Sequence, residues 1–548
     1  MVRGEAYGYL RTGRPVAEGL NGAIASPHYL ATQAGKDILQ KGGHAVEAAI
    51  ATNAVLCVVY PHMAGLGGDL FALVWDSSER DIIAINGSGR AGANVTREAY
   101  FERELDEIPM RGPLAANTVP GTVSAWNKLH KRYGKLQWKT LFEKAIHYAE
   151  HGFVVTKKLS RFAFDKRKVI AQNENCAKIF LPDGDPIQAG DILIQKDLAW
   201  SFKQIAEKGK TVFYEGELAD KIVASMEKYG GLLTKEDMKN HHSTWESPIQ
   251  TNYRGYDVFE LKPNTQGGIA ALMILNMVEQ YNLSNIGDGT PEYYHLMAEA
   301  AKLNYRYRDK WIASPNYKDI PYENLLSKSF SRQISEHFSW DEAFDLSALE
   351  ELPTIPTNRD TTFTCAVDQY GNSVSLIQSI YHEFGSGFMI DDCGFIMQNR
   401  GASFSLEKNH PNTLRPGVRT FHTLIPAMIL KNDKPFMMLG TMGGEGQPQT
   451  HSALITRVID FGYDIQQAIE SPRWLFGKRW GNDSTTLKLE GRIDDSVMIQ
   501  LDRYGHDIEI VEQYSQVMGH AQGILIDEKT GAYSAGADPR GDGLGLSW

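Results

Sequence analysis

The chain has 548 residues, of which 42% are hydrophobic and 22% charged, as is typical of globular proteins. This length is too great for one simple layered core, so we expect two domains or one large assembly of layers. The net charge of −11 argues against a general nucleic-acid binder, which would carry a basic surplus. The four cysteines form no C-x-x-C pair, which predicts reduced, mostly buried thiols rather than a disulfide framework or a zinc site.

The N-terminal residues 1–22 are rich in glycine and arginine and have no apolar core, so they do not resemble a secretory signal. The longest apolar stretch, residues 48–60, is interrupted by Thr52 and Asn53 and is too short to cross a bilayer. We therefore expect a cytoplasmic protein with no membrane contact.

Helical periodicity dominates the first two thirds of the chain. Gly42-Gly43 separates the first two predicted helices, and His151-Gly152 is a C-cap signal after the fourth. Thr234, with Asp237 three residues later, predicts a capping-box start for the fifth. The predicted helices are 28–40, 45–59, 122–133, 139–150, 234–240 and 293–312.

The pattern changes after residues 353–359, a polar segment with two prolines that we expect to be an exposed, extended connector. Residues 361–367 and 374–379 alternate in strand fashion around a turn and predict a β-hairpin. Further hairpins are predicted at 427–439 and 522–535. Helix layers from the first part, packed on a central antiparallel sheet from the last third, would satisfy both halves of the pattern.

Two candidate ligand sites lack the context they need. Residues 87–92 match G-x-G-x-x-G after a strand-like run, but the next helix starts only near Thr96, so no helix N-terminus meets the glycines. The neighbours His241 and His242 are interpreted as a surface turn, since adjacent residues seldom ligate one metal together. No motif in the sequence implies a metal or an organic cofactor.

The remaining chemical signal is the start of the first predicted strand, Asp360-Thr361-Thr362. A cut before Thr361 would free an α-amine that titrates near pH ~8. This amine could accept the proton of the hydroxyl on the same residue, so that one residue would supply both nucleophile and base. The alternative is that two threonines simply begin an edge strand, because threonine favours strands.

A series of short motifs covers most of the chain in a specific order and spacing. They are His28-x-Leu30-Ala31-Thr32, Gly42-Gly43-x-Ala45-Val46-x-Ala48-Ala49, Tyr60-Pro61, Gly65-Leu66-Gly67-Gly68, Val119-Pro120-Gly121-Thr122, Gly267-Gly268, Thr361-Thr362, Gly443-Gly444 and Ala537-Asp538-Pro539-Arg540. In these motifs the sequence resembles the γ-glutamyltranspeptidase family.

The resemblance implies an N-terminal nucleophile hydrolase with a four-layer αββα sandwich. Such chains cut themselves, here between Asp360 and Thr361. The pieces would be a helix-rich large subunit, 1–360, and a strand-rich small subunit, 361–548. They would be intertwined in one fold as a heterodimer, with further oligomerisation left open.

The resemblance also assigns roles to particular residues. Thr361 falls on the nucleophile, and Ser379 falls where the family usually has a second threonine that bonds the nucleophile. Gly443 and Gly444 fall on the pair whose backbone N–H groups form the oxyanion hole, where glycine allows close approach to the substrate. Arg90 falls on the arginine that grips the α-carboxylate of a γ-glutamyl group.

Several positions depart from the family pattern. Ser403 stands at the place of the aspartate that accepts the glutamyl α-amine, Tyr381 at an asparagine position and Arg400 at a glutamine position. His422 and Thr423 replace two serines that help to hold the carboxylate. This pattern resembles the cephalosporin acylase-like branch, whose members are expected to favour dicarboxylate acyl groups such as glutaryl. The short segment after Ser403 also predicts that a long lid is absent.

Three functions therefore remain open. The first is an amidase that cleaves γ-glutamyl or glutaryl amides through an acyl-Thr361 intermediate. The second is a true γ-glutamyltransferase or glutathione hydrolase. The third, of another class, is a non-catalytic binding protein on the same scaffold.

Overall fold

Two seven-stranded antiparallel sheets form the centre of the molecule. The computed structural model describes residues 13–265, 267–311, 320–345, 360–477 and 484–548. The strands are β1 (Ala17–Gly19), β2 (Ala23–Ser26), β3 (Asp69–Asp76), β4 (Asp81–Asn86), β5 (Phe153–Val154), β6 (Ile192–Leu193), β7 (Thr244–Glu246), β8 (Ile249–Tyr253), β9 (Tyr256–Glu260), β10 (Asp360–Val367), β11 (Ser373–Tyr381), β12 (Ala427–Lys431), β13 (Lys434–Thr441), β14 (Trp474–Phe476), β15 (Leu487–Glu490), β16 (Ile508–Val511), β17 (Ala521–Ile526), β18 (Tyr533–Ala537) and β19 (Leu544–Ser547).

The strand order mixes distant parts of the chain. One sheet runs β1-β18-β17-β13-β12-β9-β8, and the other runs β19-β2-β10-β11-β3-β4-β7. We call them the first sheet and the second sheet. Each sheet contains strands from both sides of the bond between residues 360 and 361, so both parts of the chain build one fold. The division into 1–360 and 361–548 as separate subunits stays a prediction.

Helices cover the outer face of each sheet. They are α1 (Tyr29–Gln40), α2 (Ala45–Val59), α3 (Arg97–Phe101), α4 (Thr122–Tyr133), α5 (Glu143–His151), α6 (Lys157–Asp165), α7 (Arg167–Ile170), α8 (Glu174–Phe180), α9 (Lys196–Lys208), α10 (Thr211–Tyr214), α11 (Glu217–Tyr229), α12 (Lys235–Asn240), α13 (Gly267–Val278), α14 (Leu283–Ile286), α15 (Pro291–Trp311), α16 (Tyr322–Leu325), α17 (Lys328–Ser335), α18 (Gln447–Ile459), α19 (Ile465–Glu470) and α20 (Asp495–Arg503).

Three apolar clusters hold the layers together. The first joins α1, α2, α4, α5 and α9 to the outer face of the second sheet, and the second joins α13, α15 and α18 to the outer face of the first sheet. The third lies between the sheets and contains Phe363, Ile377 and Met438. The helix–sheet–sheet–helix order confirms the predicted αββα sandwich.

The most buried helices are the ones without a polar face. All fifteen residues of α2 and all twelve of α13 are buried. A helix that is apolar around its whole circumference is stable only where protein surrounds it. The apolar stretch of residues 48–60 is therefore a core helix, and no helix among the described residues has the length and apolarity needed to cross a membrane.

The predicted elements agree closely with the structure. The three hairpins form as β10–β11, β12–β13 and β17–β18. The capping box of Thr234 and Asp237 is present, and Gly152 ends α5 with a φ of 90°. All four cysteines are free and buried, as expected. The segment 139–150 is a 3₁₀ turn followed by α5 rather than one helix. The connector 353–359 lies outside the described residues, as does Ile312 at the end of a predicted helix.

Candidate active site

Thr361, the second residue of β10, points into the interior between the two sheets. Side chains alternate along a strand, and Phe363, two residues later, belongs to the apolar cluster between the sheets. Thr361 is completely buried, and its hydroxyl has no hydrogen-bond partner among the described residues. Most buried hydroxyls have a hydrogen-bond partner, so the Thr361 hydroxyl is a candidate for contact with a bound substrate.

Ser379 stands beside Thr361 on the neighbouring strand, β11. The register pairs Asp360 with Tyr381 and Thr362 with Gln378, with an irregularity between them, which brings Ser379 opposite Thr361. The Ser379 hydroxyl accepts the N–H of Tyr381 at 2.8 Å. Tyr381 has a φ of 83°, a backbone conformation that this hydrogen bond helps to hold.

Gly443 and Gly444 lie at the same end of the sandwich as Thr361. On β13, the Leu439 carbonyl accepts the Ser375 hydroxyl at 3.5 Å, and Gly440 packs directly against the Phe363 ring. Ser375 pairs with Cys365 on β10, so Leu439 lies near residue 365 and Gly440 near residue 363. With rising residue number, β13 therefore runs towards Thr361. The loop after β13 therefore lies at the Thr361 end.

The backbone at this loop suits glycine. Gly443 has a φ of 127° and Gly444 a φ of 52°, and a Cβ on Gly443 would come within 3.3 Å of the Gly519 Cα. The helix α18 begins three residues after Gly444, so its N-terminal dipole favours negative charge near this loop. These features suit a pair of N–H groups that stabilise an oxyanion.

Asp69 was not predicted, yet it lies in the same row of side chains. It pairs with Ser379 across β3 and β11, and it is completely buried. Its Oδ1 accepts Gln398 Nε2 at 3.0 Å and the N–H groups of Gly89 at 3.0 Å and Gly121 at 3.2 Å. Its Oδ2 lies 3.0 Å from Nε2 of His422. Burial raises the pKa of Asp69 to about 7, although Gln398 and the nearby arginine Arg400 oppose that rise.

The predicted substrate residues beyond Thr361 form a second group. The Arg400 guanidinium stacks on the Tyr381 ring at 3.9 Å, and the Ser403 hydroxyl donates to the Tyr381 hydroxyl at 2.9 Å. All three are buried. Thr423 is also buried, and its hydroxyl has no partner among the described residues. The stacking fixes the direction of Arg400, which the sequence left open.

Arg90 lines a cavity of about 340 Å³ together with Asp237, His241 and Gly417. Its predicted role as the carboxylate clamp stays a prediction. His241, interpreted above as part of a surface turn, is in fact 5% exposed and stacks on Tyr214, so that interpretation is wrong for this residue. His242 is exposed, as expected.

One cluster of potential metal ligands occurs among the described residues: His295, Glu299 and His506. The Lys302 ammonium donates to Glu299 at 2.7 Å and lies 3.3 Å from His506 Nδ1. His295 Nδ1 lies 2.7 Å from the other ring nitrogen of His506. The Lys302 ammonium already lies among these side chains. The arrangement is therefore typical of a buried ion-pair network rather than of a metal site.

Comparison with known proteins gives a consistent result. The Gamma-glutamyltranspeptidase family model matches residues 31–548. A glutathione hydrolase-like YwrD proenzyme of Bacillus subtilis is 44% identical over 95% of this chain and 98% of its own. An oxamate amidohydrolase proenzyme of Klebsiella pneumoniae is 37% identical over 96% of this chain and 98% of its own.

A solved structure of a cephalosporin acylase from Bacillus halodurans superimposes with a TM-score of 0.90 at 37% identity. The match covers 100% of this chain and 99% of that one. This structure shares the layered fold described above, and the two sequence relatives are named as proenzymes.

Proposed function

The chain belongs to the γ-glutamyltranspeptidase family, and from this premise we propose that it cuts itself before Thr361 and then hydrolyses amides through an acyl-Thr361 intermediate. The main support for this proposal is the position of Thr361. Its hydroxyl is buried and has no partner among the described residues, and the residue stands at a strand start beside Ser379. Gly443 and Gly444 lie at the same end of the sandwich.

Self-cleavage begins when the Thr361 hydroxyl attacks the carbonyl carbon of Asp360. The C–N bond breaks, the nitrogen takes the proton, and an ester joins the Asp360 carbonyl to Thr361 Oγ1. This shift already frees the α-amine of Thr361, and water then hydrolyses the ester, which restores the Thr361 hydroxyl and leaves a carboxylate on Asp360. Ser379 supports this step, because its hydroxyl lies beside the nucleophile and holds the backbone at Tyr381.

In turnover, the α-amine of Thr361 accepts the hydroxyl proton as Oγ1 attacks the substrate carbonyl. The oxyanion that forms is stabilised by the N–H groups of Gly443 and Gly444, which lie at this end of the cleft. The amine leaves with a proton, and water hydrolyses the acyl ester by the same route in reverse. The two cleaved pieces remain one heterodimer, because their strands share both sheets.

The proposed substrates are amides whose acyl group carries a second carboxylate, such as glutaryl amides and γ-glutamyl amides. Arg400 and His422 are the buried groups in this part of the site that suit an anionic acyl end. Ser403, at the position where the family has its ammonium partner, donates to Tyr381 instead. The relatives named oxamate amidohydrolase and cephalosporin acylase support the same class of substrate.

A second candidate is a glutathione hydrolase or γ-glutamyltransferase, which the 44% identical glutathione hydrolase-like relative favours. Initial rates with γ-glutamyl and glutaryl anilides separate the two. Faster hydrolysis of the glutaryl anilide supports the acylase function. Hydrolysis only of anilides whose acyl group carries the α-amine supports the second candidate.

The test of the proposal is the intact mass of the purified protein under denaturing conditions. The wild type should give two fragments that meet between Asp360 and Thr361, and Thr361→Ala should give one uncut chain. Thr362→Ala is the matched control, because that hydroxyl donates to the Gln378 carbonyl and should not be needed for the cut. An uncut wild type after long incubation would overturn the mechanism and leave the binding-protein function.

A further inference from the structure

The helix α6 and the start of α7 carry an exposed surface rich in cations. Its exposed members, which we call the basic patch, are Lys157, Arg161, Phe164, Arg167 and Lys168. Residues on the opposite side of α6 are buried, so the helix presents the patch outward. Among the described residues, Arg161 alone of these cations has a carboxylate partner, Asp165 at 2.9 Å. Phe164 is 52% exposed, and the Arg167 guanidinium lies 4.5 Å from its ring centre.

The end of α3 and the loop after it form a surface of the opposite charge. Its exposed members, which we call the acidic patch, are Phe101, Glu102, Glu104, Asp106 and Glu107. Its four carboxylates have no ion-pair partner in the part of the chain that the structure describes. Arg103 lies between them, but its guanidinium donates to the Ala99 carbonyl. Phe101 is 45% exposed, so each patch combines charge with an open aromatic ring, a residue type enriched at protein interfaces.

Glu383, in the loop after β11, connects the two patches. Its carbonyl accepts the Arg111 guanidinium at 2.7 Å, and Arg111 follows the acidic patch by four residues. Its carboxylate pairs at 3.2 Å with Lys166, which lies within the segment of the basic patch. The two segments therefore meet at one residue, and the patches are neighbours on one face of the molecule.

A face with a positive and a negative patch side by side is complementary to a copy of itself. Rotation by 180° about an axis between the patches brings the basic patch of each copy onto the acidic patch of the other. The net charge of −11 makes two copies repel each other overall. Local complementarity of this kind opposes that repulsion at one face and selects the orientation in which the copies meet.

We propose that this face is the interface of a symmetric dimer of the chain, in which the basic patch of each copy binds the acidic patch of the other. Phe164 and Phe101 supply the apolar centre of each contact. Lys157 and Lys168, which have no ion-pair partner among the described residues, pair with the carboxylates of the second copy. Both patches precede Thr361, so the dimer depends neither on self-cleavage nor on the proposed function.

Sedimentation equilibrium of the full-length protein measures the dissociation constant of the dimer. We expect a dimer at about 0.05 M salt and weaker association at about 0.5 M, because salt screens exposed charges. Two double variants reverse the patches, Lys157→Glu with Lys168→Glu and Glu102→Lys with Glu107→Lys. Each should weaken self-association by at least about tenfold, because like charges then meet at both contacts.

The decisive sample is an equimolar mixture of the two reversed variants. Each repels itself, but the two attract each other at both contacts, so the mixture should regain a dimer, which also shows that both variants fold. The matched control reverses Lys434 and Lys529, two exposed lysines at the far end of the sandwich from Thr361, to glutamate and should dimerise as the wild type does.

Three results would overturn the dimer. The first is a mixture that does not associate, and the second is a control that dissociates as much as the reversed variants do. The third is a wild type that stays a single copy at low salt. If that single copy binds phosphatidylserine vesicles and the variant with the reversed basic patch does not, the basic patch belongs to an anionic lipid surface instead.

Discussion

The carboxylate of Asp69 lies 3.0 Å from Nε2 of His422, although 353 residues separate them in the chain. Asp69 belongs to β3 in the second sheet, and His422 precedes β12 in the first sheet, so the contact joins the two sheets at the end where Thr361 begins its strand. Both side chains are buried. The pair thus fixes the His422 ring beside the proposed acyl site, with Nε2 turned towards the carboxylate.

Asp69→Asn should flatten the dependence of stability on pH. Burial raises the pKa of Asp69 to about 7, whereas an unfolded aspartate titrates near ~3.9. The folded state therefore holds the extra proton, and its contribution to stability is complete below ~pH 4 and is lost as the pH rises through ~7.

Thermal unfolding at several values between about pH 5 and about pH 8 tests this. The wild-type midpoint should fall more steeply over that range than the Asp69→Asn midpoint. Asp76→Asn, on the same strand, is the control: the pKa of Asp76 is lowered, so its titration ends below this range and the wild-type slope should remain. Parallel curves for wild type and Asp69→Asn would disprove the assignment.

Gly443→Ala should lower kcat with little change in KM. The φ of 127° and the close Gly519 backbone mean that a Cβ must shift the loop, and its N–H groups with it. Loss of one oxyanion donor lowers kcat by about 100-fold or more. Gly531→Ala introduces a side chain at a φ of 70° in the open turn between β17 and β18. That control carries a similar backbone strain and should keep the wild-type kcat; a Gly443→Ala enzyme with normal kcat would exclude the oxyanion role.

Ser379→Ala should slow self-cleavage, because it removes the hydroxyl that accepts the Tyr381 N–H beside the proposed nucleophile. A hydrogen bond of about 1–1.5 kcal/mol corresponds to a rate effect of about tenfold. The time course of fragment formation, followed by mass, measures it. Ser379→Thr keeps the hydroxyl and should cleave at a rate close to the wild type. Equal rates for alanine and threonine variants would show that the hydroxyl has no part in the cut.

Arg400→Gln should raise KM for a glutaryl anilide and leave the pentanoyl anilide unaffected. The pentanoyl group has the same chain length without the terminal carboxylate, so only the charged acyl group senses the guanidinium. A hydrogen bond to a charged group contributes about 1.5–3 kcal/mol, which corresponds to at least about tenfold in KM. Equal KM changes for both anilides would point to a general packing defect instead.

Asp538→Asn should destabilise the fold strongly. Asp538 Oδ2 accepts Arg473 at 2.6 Å, and its Oδ1 accepts Arg540 at 3.1 Å, with all three side chains buried. Burial alone would raise the pKa of Asp538, but the two arginines hold it well below its usual value. Removing one partner of a buried ion pair costs about 3–5 kcal/mol.

Urea unfolding measures that loss as a lower midpoint. Asp165→Asn breaks an exposed pair with Arg161 and is the control, with an unfolding midpoint expected close to the wild type because exposed ion pairs contribute little. The same network explains why Ala537-Asp538-Pro539-Arg540 stands out in the sequence. Arg473 also donates to the Gly519 carbonyl at 3.1 Å, so the network supports the residue against which Gly443 packs. A midpoint equal to the wild type would show that the network is not needed for stability.

The sequence predicted the elements that depend on local patterns. The alternation of apolar and polar residues on both sides of residues 368–372 predicts a hairpin with Thr361 at a strand start. Capping residues such as Thr234 predict where helices begin. The role of Asp69 was missed, although it directly follows the quoted motif Gly65-Leu66-Gly67-Gly68. Its partner His422 precedes a strand of the other sheet, and no local pattern specifies a contact between segments so far apart in the chain.

The wrong interpretation of His241 has the same physical origin. His241 is buried because Tyr214, from another helix, covers its ring, and a pair of adjacent histidines gives no sign of that. Arg90 faces Arg419 across a bridge that joins segments 329 residues apart. Which cavity a side chain lines depends on tertiary packing. The clamp role that the resemblance assigns to Arg90 therefore stays a prediction, which the KM of an Arg90 variant can test.

The mixing of strands from both sides of residue 360 in each sheet has a consequence for assembly. In the second sheet β2 lies between β19 and β10, while β10 and β11 lie between β2 and β3, so each fragment alone would lack interior strands of that sheet. A cut at this bond makes folding a one-way event: the intact chain folds as one molecule, whereas the denatured pieces must find each other. Regain of structure after unfolding should then depend on protein concentration for the cut enzyme and not for the uncut Thr361→Ala chain.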